Sequence, residues 1–166
     1  MSTLVAAITN SAVGASKWHL GLFNGTGAGQ PIEVLSVELV NHLTANNTGS
    51  ATTFILTRTT AAGTGTSIPV RKHDTRTPAV PSSVSILGTF TVSPTAPADN
   101  ELAAITVYTE ETTGQTGLRD LFRADPCCGI EPITLHPGQG IGIQQTALAS
   151  AGAVDIFIRF RIKRRR

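Results

Sequence analysis

The sequence predicts an all-β protein, an antiparallel sandwich or barrel of about eight strands joined by long loops. Three observations carry this. Glycine and proline supply 25 of the 166 residues, threonine is abundant, and only 14% of residues are charged, a composition suited to pleated surfaces and turns. From Val154 onward the even positions Val154, Ile156, Ile158, Phe160 and Ile162 are apolar, while Asp155, Arg159, Arg161 and Lys163 between them are charged. Only a strand puts successive side chains on opposite faces with this period. Helical spacing is confined to one short stretch, Thr116 to Ala124, through Leu118, Leu121 and Phe122.

In chain order, residues 1–16 carry scattered Val and Ile without alternation and read as an N-terminal arm. Trp18, Leu20 and Leu22 then form an apolar row facing away from Lys17 and His19. Ile32 to Val40 is apolar on both faces through Val34, Leu35, Val37 and Leu39, which suggests a strand covered on both sides. Thr52 to Thr60 is rich in β-branched residues around Phe54, Ile55 and Leu56, and Val84 to Val92 alternates again. Ala103 to Thr109 is a further strand. Ile133–Leu135 and Ile141–Gln145 are short strands split by the turn His136-Pro137-Gly138-Gln139-Gly140. The connections Thr60 to Ser83, Ser93 to Asn100 and Tyr108 to Ile130 are long, and such loops carry the binding surfaces of many sandwiches. Residues 17–162 form one domain, and 163–166 a basic tail.

A mean hydropathy of +0.10 with 40% apolar residues excludes a disordered chain. No run approaches the roughly 20 apolar residues of a membrane helix, and residues 1–16 make a poor secretion signal. The adjacent Cys127 and Cys128 are too close for ordinary bridge geometry and read as a reduced pair in a turn. Metal ligation with His136 would need two neighbouring side chains on one centre and a fourth ligand, so no metal is assigned. The sequons at Asn24 and Asn46 are chance matches in this reading. No nucleophile elbow, zinc-protease helix or phosphate loop occurs. His73-Asp74 is a tempting acid–base pair in a proline-flanked turn, and the carboxylates Glu110, Glu111, Asp120 and Asp125 have no evident pairing across a cleft. The expectation is a protein without catalytic residues, metal or other cofactor.

Charge is concentrated at the end of the chain. Arg159, Arg161, Lys163, Arg164, Arg165 and Arg166 are six of the 13 basic residues, and without them seven bases face 11 acids. Such a cluster attracts a polyanion, whether nucleic acid, an anionic membrane or an acidic protein surface; the plain alternative is an edge strand guarded by cations. These six are the candidate partner-binding residues. Val34, Leu35, Val37 and Leu39 are the candidate subunit interface.

The segments Lys17-Trp18-His19-Leu20, Thr57-Arg58-Thr59-Thr60-Ala61-Ala62-Gly63-Thr64, Pro69-Val70-Arg71-Lys72-His73-Asp74 and Leu135-His136-Pro137-Gly138-Gln139-Gly140-Ile141-Gly142-Ile143 resemble, in this order, small structural proteins of tailed-bacteriophage virions. The resemblance implies a single jelly-roll-like antiparallel sandwich acting as a capsid cement (decoration) protein. Such a protein is made in the host cytoplasm, is carried in the virion, binds the major capsid protein and self-associates, in this group often as a homotrimer. The Lys163-Arg164-Arg165-Arg166 ending and the Cys127-Cys128 turn depart from that group. Two rival roles follow from the residues: a shell subunit whose basic end contacts the genome, and a fibre or adhesion module whose loops Thr60 to Ser83 and Thr109 to Gly129 bind a receptor or glycan.

Overall fold

The alternating C-terminal segment becomes a central strand. In a computed structural model, which describes residues 3–42, 51–77, 79–108, 118–146 and 153–163, twelve strands are present. They are β1 Leu4–Ala12, β2 Trp18–Asn24, β3 Ile32–His42, β4 Ala51–Thr59, β5 Thr64–Ser67, β6 Val70–Lys72, β7 Val84–Val92, β8 Glu101–Tyr108, β9 Leu118–Arg123, β10 Ile133–Leu135, β11 Gln139–Gln145 and β12 Ala153–Ile162. Two antiparallel sheets pack face to face. The first runs β10-β3-β12-β1-β6, with β9 continuing the β10 edge along β3; the second runs β5-β7-β2-β11-β4-β8.

This order is a jelly roll. With β9 and β10 counted as one broken strand and β5 to β7 as an insertion, eight core strands remain. In chain order they pair as first–eighth–third–sixth in one sheet and second–seventh–fourth–fifth in the other. The insertion widens both sheets, β6 lying beside β1, and β7 beside β2 with β5 outside it.

The core lies between the sheets. Ile156, Ile158 and Phe160 of β12, Leu20 and Leu22 of β2, Phe54 and Leu56 of β4, and Ile141 and Ile143 of β11 are all essentially inaccessible. Each such side chain contributes about 1.5–3 kcal/mol on burial.

Four expectations change. Residues 4–12 are not an arm: Leu4, Ala6 and Ile8 pair with Phe160, Ile158 and Ile156, and Leu4 and Ala6 fill the core. Their alternation is masked by a bulge before Ser11, where Asn10 has φ 53° and its N–H donates to Asp155 Oδ1 at 2.7 Å. Leu118–Arg123 is a strand instead of a helical turn. A bulge opposite Val37/Glu38 turns Leu121 into the core and leaves Leu118 exposed, which imitates helical spacing. The connection Thr60 to Ser83 contains β5 and β6, too short to stand out in a glycine- and proline-rich stretch.

The fourth change concerns β3. Its apolar pattern is a change of phase: Arg159 lies opposite Ser36 but Phe160 opposite Val34, so Leu35 is an extra residue. Ile32 and Val34 face the core before it, Val37 and Leu39 after it. Val34, Val37 and Leu39 therefore belong to the chain's own interior and do not form a subunit interface; Leu35 alone of the four is partly accessible.

Candidate docking face on the first sheet

Residues directly opposite in a ladder share a face. Arg71 of β6 lies opposite Val5 of β1, Val5 opposite Arg159 of β12, Arg159 opposite Ser36 of β3, and Ser36 opposite Arg123 of β9. Because Leu4 and Ala6 point inward, this line runs across the outer face. With strands about 4.8 Å apart, three arginines fall on alternate strands of a row roughly 19 Å long.

Glu38 is the buried acid of this row, its side chain 3% exposed. Its Oε1 accepts from Ser36 Oγ at 2.9 Å and lies 3.5 Å from Arg123 Nη2, while Oε2 accepts from Arg159 Nη2 at 3.2 Å. Arg123 also grips Asp120 with Nε and Nη2, both at 2.9 Å. Both arginines remain about half exposed, at 54% and 45%. Among the described residues, Nη1 of Arg123 and Nε and Nη1 of Arg159 have no hydrogen-bond acceptor.

A second ion cluster lies beside it. Arg161 Nε donates to Glu33 Oε2 at 2.6 Å and Lys163 Nζ reaches Oε1 at 2.9 Å. Burial pushes the Glu33 carboxyl up, but the hydrogen bonds from Lys163 and Arg161 outweigh it and hold the group below the usual carboxylate range. The expected partner-binding residues thus divide. Arg159 is paired with Glu38 and lines the cleft, Arg161 and Lys163 are paired with Glu33 beside it, all three keep donors to spare, and Arg164, Arg165 and Arg166 lie outside the described residues. Nor are these charges an edge guard, since β12 has β3 on one side and β1 on the other.

Between the arginines and the β6–β7 loop is an open cleft of about 540 Å³. Ser36, Glu38, Arg123 and Arg159 form one side, Thr3, His73 and Asp74 the other, with Leu35 and Ala124 in the lining. His73 N–H donates to Thr3 O at 3.1 Å, and Asp74 Oδ1 accepts from Arg76 N at 2.9 Å. His73-Asp74 is thus an exposed turn facing the arginines, with the aspartate bound to its own loop.

The other singled-out residues lie apart. Asp125 caps a 3₁₀ turn, Pro126–Cys128, by accepting from Cys127 N at 3.0 Å. A hydrogen bond from the Cys128 thiol holds the Asp125 carboxyl below the usual range. Both cysteines are exposed and free, and no group of three or more His, Cys, Asp or Glu side chains suited to a metal occurs among the described residues. Asn24 is fully buried, and its Nδ2 donates to Gln30 O and Leu135 O, both at 3.0 Å. That amide is committed to structure rather than to a glycan. Asn46, Glu110 and Glu111 lie outside the described residues.

The charged row has no counterpart on the second sheet. Outward positions of its central strands hold Trp18 and Phe23 of β2, Thr53, Thr57 and Thr59 of β4, and Gly140 and Gly142 of β11, with no charged residue among them, and Trp18, Thr57, Thr59, Gly140 and Gly142 are buried within the chain. Trp18 lies over Gly142, where an added Cβ would come within 2.6 Å of its ring.

Sequence reasoning missed Arg71 and Arg123. Arg71 stood beside the apparent acid–base pair, and Arg123 in the apparent helical turn; only the strand pairing brings them into line with Arg159. Comparison with protein-family models, curated proteins and solved structures found no match.

Proposed function

We propose that the chain is a non-enzymatic structural protein of a virion, a capsid cement protein that binds the assembled head and stabilises it through repeated contacts. The observation that carries this reading is the unlike character of its two outer faces, one bearing an arginine row and its acids, the other uncharged across its central strands. A cement protein needs one surface for the shell and another for its own copies. Arginines with unused donors suit the acidic surface of a major capsid protein, and a second sheet without charge on its central strands adds no like-charge repulsion between neighbouring copies. Jelly rolls serve in capsid and lectin proteins alike, so the fold supports this role without deciding it. Homotrimer formation and residence in the virion belong to the same reading. Weak contacts repeated over a lattice add up to avidity beyond any single interface.

Co-sedimentation with purified heads is the test. Saturable binding to assembled heads, with no closed particles when the chain is expressed alone, is the expected result. Closed particles holding nucleic acid would instead make it a shell subunit, and capsid-independent binding on a glycan array an adhesion module.

A further inference from the structure

We propose that the cleft between the arginine row and the β6–β7 loop is a carboxylate site that receives an acidic side chain from a peptide segment of the partner. The inference deepens the docking reading above by naming the atoms and the ligand chemistry.

The cleft is a fixed site. Glu38, buried beneath it, holds Arg123 and Arg159 on one acid, so their side chains are ordered before any ligand arrives. The facing wall is tied down by His73 N–H to Thr3 O and by Asp74 to its own loop. What remains available on the first wall is the Nη1 of Arg123 and, on Arg159, Nε, Nη1 and the second Nη2 hydrogen; Nη2 belongs to both edges of the fork and Glu38 takes only one of its hydrogens, so one complete edge of Arg159 stays free. A guanidinium edge presenting two parallel N–H donors matches a planar carboxylate in a bidentate pair.

The charge count selects among anions. Along this face five cations, Arg71, Arg123, Arg159, Arg161 and Lys163, meet four acids, Glu33, Glu38, Asp74 and Asp120, which leaves one positive charge unanswered. A nucleic acid with closely spaced phosphates would meet these acids as well as the arginines. A singly charged, flat group needs only the free edge of Arg159 and the nearby Arg123. The affinity of one such contact is low, about millimolar by the worth of a charge-assisted hydrogen bond, and a lattice multiplies it.

Nuclear magnetic resonance on the full chain reads this site directly. The probe is a short peptide alternating glutamate and glycine, with the glutamine version, inorganic phosphate and a single-stranded oligonucleotide as the other arms. The glutamate peptide is expected to shift the amide signals of Ser36, Arg159, Arg123 and His73, and the glutamine peptide to leave them in place. Arg159→Lys keeps the charge but loses the fork, and is expected to weaken binding about tenfold; Arg161→Gln, outside the cleft, is expected to leave it unchanged. Because Arg159→Gln alone would strand Glu38, the double variant Glu38→Gln/Arg159→Gln tests loss of the site in a folded chain, confirmed by an intact spectrum. Equal shifts from the glutamine peptide, stronger shifts from phosphate or oligonucleotide, or undiminished binding by the double variant would overturn the proposal. Peptide binding here combined with no binding to heads would leave the carboxylate site standing and remove the cement role.

Discussion

Arg159 stands opposite Ser36 across the β12–β3 ladder and donates from Nη2 to Oε2 of Glu38 at 3.2 Å, in the same place where Ser36 Oγ meets Oε1 at 2.9 Å. The bulge at Leu35 makes this meeting possible: it shifts the phase of β3 so that Ser36 and Glu38 share the outer face with Arg159. A local irregularity of the backbone thus sets both the core and the charged face.

The asymmetry of exposure fixes the cost of taking this pair apart. Glu38 cannot regain water when a partner is lost, whereas the half-exposed arginines can. Arg159→Ala is expected to destabilise the fold by about 1–3 kcal/mol, and Glu38→Gln, which keeps the shape and removes the buried charge at the loss of one acceptor facing a half-exposed arginine, by less than about 1 kcal/mol. Urea unfolding of both variants checks the order; a larger loss for Glu38→Gln would reverse the argument.

The second sheet offers a steric test. At Gly142 an added Cβ would meet two ring carbons of Trp18 at 2.6 and 2.8 Å. Gly142→Ala is expected to cost about 1–3 kcal/mol, the usual penalty of overpacking. Trp18 is the single tryptophan of the chain, so its fluorescence maximum reports the displacement.

A pH dependence follows from His19. It is fully buried, with Nδ1 2.9 Å from Ser11 Oγ. Burial chiefly, and the charge of Lys17, lower its pKa from 6.5 to about 4, while Gln145 partly opposes them. Above pH 6.5 the ring is neutral in both states and its contribution is complete. As pH falls further the unfolded chain takes up a proton that the folded chain refuses until about pH 4, so stability declines across that window, by about 3 kcal/mol in all, and then levels off. Glu33, whose folded pKa is depressed, adds its own loss only below its ordinary value of 4.5. Denaturation midpoints of the wild type should therefore drop between pH 6.5 and 4.5, and those of His19→Gln should stay flat there.

Both cysteines are exposed and neither is bridged. Each is expected to react with a thiol reagent in the native state, and the Cys127→Ser/Cys128→Ser variant to retain stability to within about 0.5 kcal/mol. Protection of either thiol would show that the turn is covered in solution.

Much of the fold was legible because burial on one face imposes alternation: Val154 to Ile162 announced β12, and all eight expected strands exist. The misses share a cause. Bulges at Asn10, Leu35 and Leu121 break the period-two pattern, so β1 looked like an arm, β3 like a strand covered on both sides, and β9 like a turn of helix. The site was legible only in part. Arg159 was visible in a basic cluster, but Arg71 and Arg123 reach its row through pairing between distant segments, which spacing along the chain does not encode. The pairing of Arg161 and Lys163 with Glu33 was hidden in the same way, since Glu33 is far from them in sequence.

The most direct measurement of the central claim is the protein content of purified virus particles by quantitative mass spectrometry. A cement protein is expected in a fixed ratio to the major capsid protein, with that ratio falling when Arg71, Arg123 and Arg159 are replaced by Gln together with Glu38→Gln, which spares the fold a stranded buried acid. Particles that lack the chain altogether would contradict the account.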